Sequence, residues 1–306
     1  MTLPKTKSTN TIINREKGKG VWWFLAPSVI PLVIITIGPM LFLYYVSMTN
    51  YELGTQLGDA KFIWFDNFIR LFSGKDREFW SSIRSTLSLG IMATICEVLL
   101  GVLIALLLDS LERIRGFLSS ILMLPMVVTP VIVGLVWKLM MNNEHGVINW
   151  MLNNTIGTAP TWLGPQMSLF SVLLVEVWQW TPFVTLIVLS GLASLPVEPL
   201  EMAEIDGANA WQKFFLIKLP LLKPILFLAI LFRMIDVLKI FDIIFIMTAG
   251  GPGSTTEVLS IHAYRLGFVN TGWIGRASAT AVVLSLITMA ISNVMIKQLQ
   301  KAYKER

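Results

Sequence analysis

Six apolar runs alternate with polar stretches along the chain, at residues 21–48, 85–108, 117–141, 168–193, 225–248 and 277–296. A helix of ~20 residues crosses a hydrocarbon core about 30 Å thick. Each run therefore reads as a membrane-spanning helix. Pro27, Pro31 and Pro39 predict kinks in the first run. Trp22, Trp23, Tyr44 and Tyr45 stand near its ends, where interfacial aromatics sit. Residues 50–84 mix Trp64, Phe65, Phe68, Phe72, Phe79 and Trp80 with charges. That stretch is too polar to span and predicts a partly helical segment on the outer face.

The polar interruption at 201–220, EMAEIDGANAWQKFFLIKLP, carries a pattern of its own. Helix formers fill 197–206, with acidic residues early, where a helix N-terminus favours them. Gly207 permits a break, and Asn209 is placed to cap a second helix. Trp211, Phe214, Phe215 and Lys218 then recur at helical spacing. Pro220 and Pro224 are expected to end it. Periodicity alone leaves an ordinary amphipathic connector on the membrane surface equally open.

The spacing decides more than the periodicity. Glu201, Ala203, Gly207, Ile217, Leu219 and Pro220 fall in the register of the EAA loop of binding-protein-dependent ABC importer permeases, and Asp206 and Ala208 match its extended form. Met202 departs from the Ala preferred there. VWQWTPF at 177–183, RMIDVLKIFD at 233–242 and TAGGPG at 248–253 resemble stretches of the carbohydrate-uptake group of these permeases. The resemblance implies an all-α integral membrane protein with six transmembrane helices in the type I ABC importer permease fold. It implies a second homologous permease in a heterodimer, two ATPase subunits that hold the ATP and Mg, and an extracytoplasmic solute-binding protein. No cofactor would be bound by this chain. The coupling residues it implies are Glu201, Ala203, Asp206, Gly207, Phe214, Phe215 and Pro220. Glu201 would anchor the ATPase contact, Gly207 would set the angle between two loop helices, and Phe214 and Phe215 would fill an apolar surface on the partner.

Composition agrees with a lipid environment. The 306 residues are 55% hydrophobic and 14% charged, against about 25% charged in soluble domains. The net charge of +5 does not suggest nucleic acid, because the basic residues flank apolar spans. Cys96 is the single cysteine, which excludes an intrachain disulfide. The first run is too long for a signal peptide and reads as a retained anchor.

Basic residues set the orientation. With the N-terminus inside, segments 1–20, 109–116, 194–223 and 297–306 are cytosolic and hold most of the Lys and Arg, whereas 142–168 holds none. The outer stretch 50–84 dissents with Lys61, Arg70, Lys75 and Arg77. On balance the positive-inside rule gives N-in, C-in in a bacterial-type inner membrane. The expected organisation is a cytosolic tail over 1–20, a first helix and outer segment over 21–84, a permease core over 85–298 with its coupling loop at 195–223, and a cytosolic tail over 299–306.

Catalytic chemistry is not written here. There is no phosphate-loop, HExxH or GxSxG pattern, and no metal site is expected. His145 and His262 read as solvated or capping histidines. The fifth run instead carries Arg233, Asp236, Lys239 and Asp242. Ionisable groups in a membrane face the bundle interior or water. Spacing brings Arg233 near Asp236 and Lys239 near Asp242 on one helix, with Glu97 and Glu176 as further partners for the cations. A structural charge network and a polar wall of a translocation path both fit. Sugars bind through hydrogen bonds and aromatic faces, so Trp178 and Trp180 join these residues as path candidates. Two rival classes remain. One is an ion-coupled secondary transporter using Glu97, Glu176, Asp236 and Asp242. The other is a membrane-embedded enzyme, against which the missing motifs count.

Overall fold

The computed structural model describes residues 17–304 except 75, 112 and 271. The basic tail expected over 1–20 lies mostly outside the described residues. Regular structure among the described residues is helical, with one isolated antiparallel bridge between Thr49 and Phe62. In chain order the helices are α1 Lys17–Ser47, α2 Asp66–Phe72, α3 Arg77–Ser110, α4 Arg115–Leu122, α5 Leu124–Val127, α6 Pro130–Met140 and α7 Val147–Thr155. There follow α8 Ser168–Ala193, α9 Glu198–Ile205, α10 Ala210–Gln212, α11 Leu219–Leu238, α12 Asp242–Met247, α13 Leu259–Tyr264 and α14 Ile274–Lys304. Among the described residues five helices are long and apolar enough to cross a membrane, and the count is six if the bent pair 115–127 and 130–140 forms one span.

That bent pair corrects the third predicted span. The chain turns by 90° there. Pro125 and Pro130 supply no N–H to a helical ladder, and Thr129, placed before a proline, is extended. The freed Val128 carbonyl accepts a hydrogen bond from Gln179 Nε2 of α8 at 3.0 Å. Within a bilayer such a break is tolerated only where protein or water satisfies the backbone.

The fifth predicted span is broken as well. α11 ends at Leu238, and the short α12 starts only at Asp242. The Ile240 carbonyl accepts from Ser260 Oγ. α12 packs on α6, and Lys138 Nζ donates to the Ile246 carbonyl at 2.8 Å. The short helices α6 and α12 thus support one another, while the fifth span itself runs over Ala210–Leu238.

Other boundaries move less. α1 runs through Pro27, Pro31 and Pro39 as one helix. α3 begins at Arg77, well before residue 85, because Asp76 accepts from the Phe79 amide at 2.9 Å and caps it. α14 continues to Lys304, so the C-terminal segment is helical.

The bundle packs most closely where α3 meets α8. A Cβ on Gly101 would stand 2.7 Å from Val184 Cγ1, so only glycine lets these helices approach as they do. One buried cluster joins Leu89 and Ala93 of α3 to Val172 and Val175 of α8, Val237 of α11 and Ile243 and Ile244 of α12. A second lies nearer the other end of α3, with Ala105, Val184, Val188, Leu222 and Ala229. A third binds Leu71, Phe79, Leu259, Ala279 and Val283. Leu99, Leu103 and Leu107 of α3 point outward and exposed, which costs little where the solvent is hydrocarbon.

Candidate functional site

Two regions carry the functional candidates, one at the end of the bundle and one inside it. The first is the loop after α8. α9 spans Glu198–Ile205, and Gly207 follows at φ +75. The Ala208 amide bonds the Ala203 carbonyl at 2.9 Å, and the Gly207 amide bonds the Glu204 carbonyl at 3.1 Å. This is a Schellman stop, whose left-handed residue favours glycine. Asn209 and Gln212 then form a capping box, with bonds of 2.8 and 2.9 Å. Both the break and the cap stand where the sequence predicted them.

The predicted stop at Pro220 and Pro224 does not occur. The helix passes from α10 through a π-helical turn at Lys213–Lys218 directly into α11. Pro220 sits in the first turn of α11, where a missing N–H is best tolerated. Pro224 lies buried within that helix.

Lys213 Nζ holds Glu204 Oε1 at 2.7 Å and ties the two loop helices together. That hydrogen bond and charge keep the Glu204 carboxyl below its usual range. Lys218 Nζ reaches Asp109 Oδ2 at 3.3 Å, and Arg115 approaches Asp109 at 3.7 Å. The loop is therefore anchored to the C-terminal end of α3. Glu201 is exposed and makes no ion pair among the described residues. Ala203 is buried, while Asp206 ends α9 exposed.

The loop also exposes apolar side chains. Phe214 is half-buried and packs edge-on against Phe215 at 4.9 Å. Phe215 stacks on Trp211 at 5.7 Å. Met202, Trp211, Phe215 and Leu216 are exposed, and Ile205 is 86% exposed. The motif register pointed to Phe214 and Phe215 but passed over Met202, Ile205 and Leu216. Ile205 stands four residues after Glu201, on the same face of α9.

The second region centres on Arg233 of α11, which is fully buried. Its Nε and Nη2 grip Glu97 of α3 at 2.6 and 2.9 Å, a bidentate pair. Nη2 also donates to Glu176 of α8 at 2.8 Å. The guanidinium lies 4.8 Å from the ring centre of Trp180. One side chain thus binds three helices. Asp236, the partner expected from spacing, is 3.9 Å away and its side chain is 56% exposed. Glu97 and Glu176 take the bonds because they are buried with the cation and reach it across the bundle. No ion pair joins Lys239 to Asp242. The helix ends at Leu238, so the two no longer share one helical face.

Beside this triad opens a cavity of about 300 Å³. Trp180, Arg233, Asp236, Lys239 and Asp242 all line it. Five of the path candidates therefore come together. Arg233 Nη1 is buried without a hydrogen-bond partner. Trp178 stands apart. It packs edge-on against Trp137 at 5.4 Å and lines a separate apolar cavity with Cys96, Phe170 and Pro182.

The long apolar helices, the broken third span and the buried ionic centre describe a multi-helix membrane component. Residues 97–305 match the family described as binding-protein-dependent transport system inner membrane component. The chain belongs to this family. The permease is 38% identical over 304 residues to the probable ABC transporter permease protein y4oQ of Sinorhizobium fredii, covering 98% of this chain and 97% of that one. It is 34% identical over 291 residues to the trehalose/maltose transport system permease protein MalF of Thermococcus litoralis, covering 94% and 96%. Its fold is similar to a bacterial ABC transporter involved in the import of the acidic polysaccharide alginate, with TM-score 0.78 at 22% identity over 92% of this chain and 95% of that one. The permease is a multi-pass inner-membrane subunit of an ABC importer, and ATP hydrolysis belongs to a separate subunit. It works in a complex with ATPases and a periplasmic binding protein.

Some functional contacts of the permease were missed from the sequence. Asp109 anchors the loop, yet it stands at the polar end of an apolar run, where an acidic residue draws no notice. His262 was read as solvated or capping, but it is 2% exposed, with Nδ1 2.7 Å from Glu257 Oε1. The Gly- and Thr-rich stretch before it gave no sign that α13 turns back into the bundle.

Proposed function

We propose that this permease forms half of the pore of an importer for a carbohydrate, with N- and C-termini in the cytosol and a second, related permease as the other half. The cavity beside Trp180 is the observation that carries the reading. It offers an aromatic face together with Arg233, Asp236, Lys239 and Asp242, the kind of wall along which a polyhydroxylated solute exchanges water for protein hydrogen bonds. The trehalose/maltose relative supports the solute class. Glu97 and Glu176 are engaged by Arg233, which disfavours their use as coupling carboxylates in an ion-driven carrier.

In this reading each ATPase docks on a permease loop. Glu201 supplies the anchoring charge. Trp211, Phe214 and Phe215 fill an apolar hollow on the ATPase. Gly207 fixes the angle between α9 and the following helix, Ala203 packs α9 onto the bundle, and Asp206 completes its C-terminal turn. Closure of the ATPase pair pushes the loop, and the Asp109–Lys218 and Asp109–Arg115 contacts pass the motion to α3. Pro220 keeps the junction with α11 at the π-turn.

The test is reconstitution of both permeases, the ATPase and the binding protein in proteoliposomes. Labelled disaccharides and short oligosaccharides serve as probes. Uptake should require ATP and the binding protein, and Trp180→Ala should lower it at least several-fold with the complex intact. Sugar uptake driven by a proton or sodium gradient without ATP would overturn the importer mechanism. ATP-dependent uptake confined to a non-carbohydrate solute would overturn the solute class.

A further inference from the structure

α11 and α14 pack side by side, and a groove of about 390 Å³ lies between them. It opens toward the end of α11 that continues from the loop after α8. Lys223, Leu226, Phe227 and Ile230 line it from one face of α11, at helical spacing. Gln298 and Lys301 line it from the last turns of α14. Ile230 stands seven residues beyond Lys223, about 10 Å further into a helix long and apolar enough to cross a membrane. The groove therefore changes character with depth. Its two ammonium groups stand toward the loop end, and Leu226, Phe227 and Ile230 continue inward without a charge.

Among the described residues no carboxylate lines the groove. Lys223 is exposed and makes no ion pair among them. Lys297 and Lys304 add two more cations to the same end of α14. A cationic rim above an apolar furrow suits an anion that brings its own apolar tail. From this profile we infer that the groove holds an anionic phospholipid. Its phosphate lies between Lys223 and Lys301, and an acyl chain runs along Leu226, Phe227 and Ile230. Basic pockets between transmembrane helices at a membrane surface take such head groups, and an ammonium binds phosphate as a point charge without demanding one orientation.

The larger cavity beside Trp178 makes a useful contrast. No charged group lines it, so nothing there selects a head group. The site on α11 and α14 needs only that this end of the two helices meets a membrane surface, whatever solute the pore carries. A lipid held there would brace α11 against α14 just beyond the π-turn.

The experiment places the full-length chain in nanodiscs of phosphatidylcholine with a rising fraction of phosphatidylglycerol. Retained lipid is counted by native mass spectrometry, and thermal unfolding is read alongside. Wild type should retain one phosphatidylglycerol in preference to phosphatidylcholine and unfold several degrees higher with it. Lys223→Gln should weaken that preference about 5-fold while unfolding like wild type in pure phosphatidylcholine. Lys223→Arg keeps the charge and should keep the preference. Lys61→Gln is the control. Its segment is tied to the start of α14 by the bond from the Gly275 amide to the Tyr51 carbonyl, about 45 Å of helix from the groove, and it should change nothing. Wild type without a preference for phosphatidylglycerol overturns the site, as does an unaltered preference in Lys223→Gln. Displacement of the lipid by glycerol phosphate in solution would leave a phosphate site and overturn the lipid. Loss of the lipid once the second permease and the ATPase are bound would give the groove to a partner subunit and overturn it too.

Discussion

The loop after α8 and the buried ionic centre are joined through α11, yet they are built in opposite ways. In the loop most hydrogen bonds are local. Asn209 and Gln212 are three residues apart, and Lys213 and Glu204 nine. At the centre Arg233 finds Glu97 at a separation of 136 residues and Glu176 at 57. The loop is exposed, leaves Glu201 without an ion pair among the described residues, and presents Trp211 and Phe215, stacked on each other, to the surroundings. The centre is closed and nearly satisfied. In the loop the Glu201 charge stays available, whereas at the joint between helices the charges are used internally.

This contrast predicts different consequences of substitution. The largest effect belongs to the centre. Glu97→Ala strips both bonds of the bidentate pair and leaves Arg233 short of a counter-charge. Breaking a buried pair on one side costs about 3–5 kcal/mol, read as lost thermal stability of the purified permease. A loss below about 1 kcal/mol would mean that Glu97 does not hold Arg233.

Next comes the loop's turn. Gly207 has open space around it but a φ of +75, so Gly207→Val suffers backbone strain rather than a clash, on the order of 1–3 kcal/mol. Uptake should fall while membrane insertion stays normal. Gly207→Asn should be much milder, because Asn tolerates this region. Equal losses in the two variants would point to sterics with a partner instead of strain.

Asp236→Asn sharpens the comparison further. The carboxylate is half-exposed and 3.9 Å from Arg233, so its removal should change stability by less than about 1 kcal/mol. Uptake should fall more than stability does if the residue lines the solute path. A stability loss as large as that of Glu97→Ala would restore the pairing along one helix. The smallest effect is expected for Lys239→Gln with Asp242→Asn, whose stability changes should add within about 0.5 kcal/mol. A larger coupling in the double-mutant cycle would show that the two charges meet in the membrane.

The same contrast explains what the sequence could reveal. Gly207, Asn209 and the motif register are local signals, and the structure reproduces the break and cap they encode. Long apolar stretches showed the spans. They did not reveal that two of them break, because Val128 is stabilised by Gln179 and Ile240 by Ser260, from other parts of the chain. The charged residues of α11 were visible, and Asp236 does approach Arg233 at 3.9 Å, but spacing could not show that Glu97 and Glu176, the further partners expected, take the closer bonds. Burial, which no local spacing reports, decided between Asp236 and Glu97. His262 was misread for the same reason, since Glu257 and Asp76 surround it only after α13 has folded back on α3.

The proposal that the loop is a docking surface is tested most directly by the affinity of the permease for its ATPase subunit, titrated in nanodiscs with wild type and Glu201→Ala. Losing one side of a buried charge-assisted contact costs about 2–5 kcal/mol, which weakens binding about 30-fold or more. Glu201 makes no ion pair among the described residues, so the thermal stability of the isolated permease should not change. Weakened ATPase binding at unchanged stability is the predicted result. Unchanged affinity, or an affinity loss that merely follows a loss of stability, would contradict it and leave the loop a surface connector.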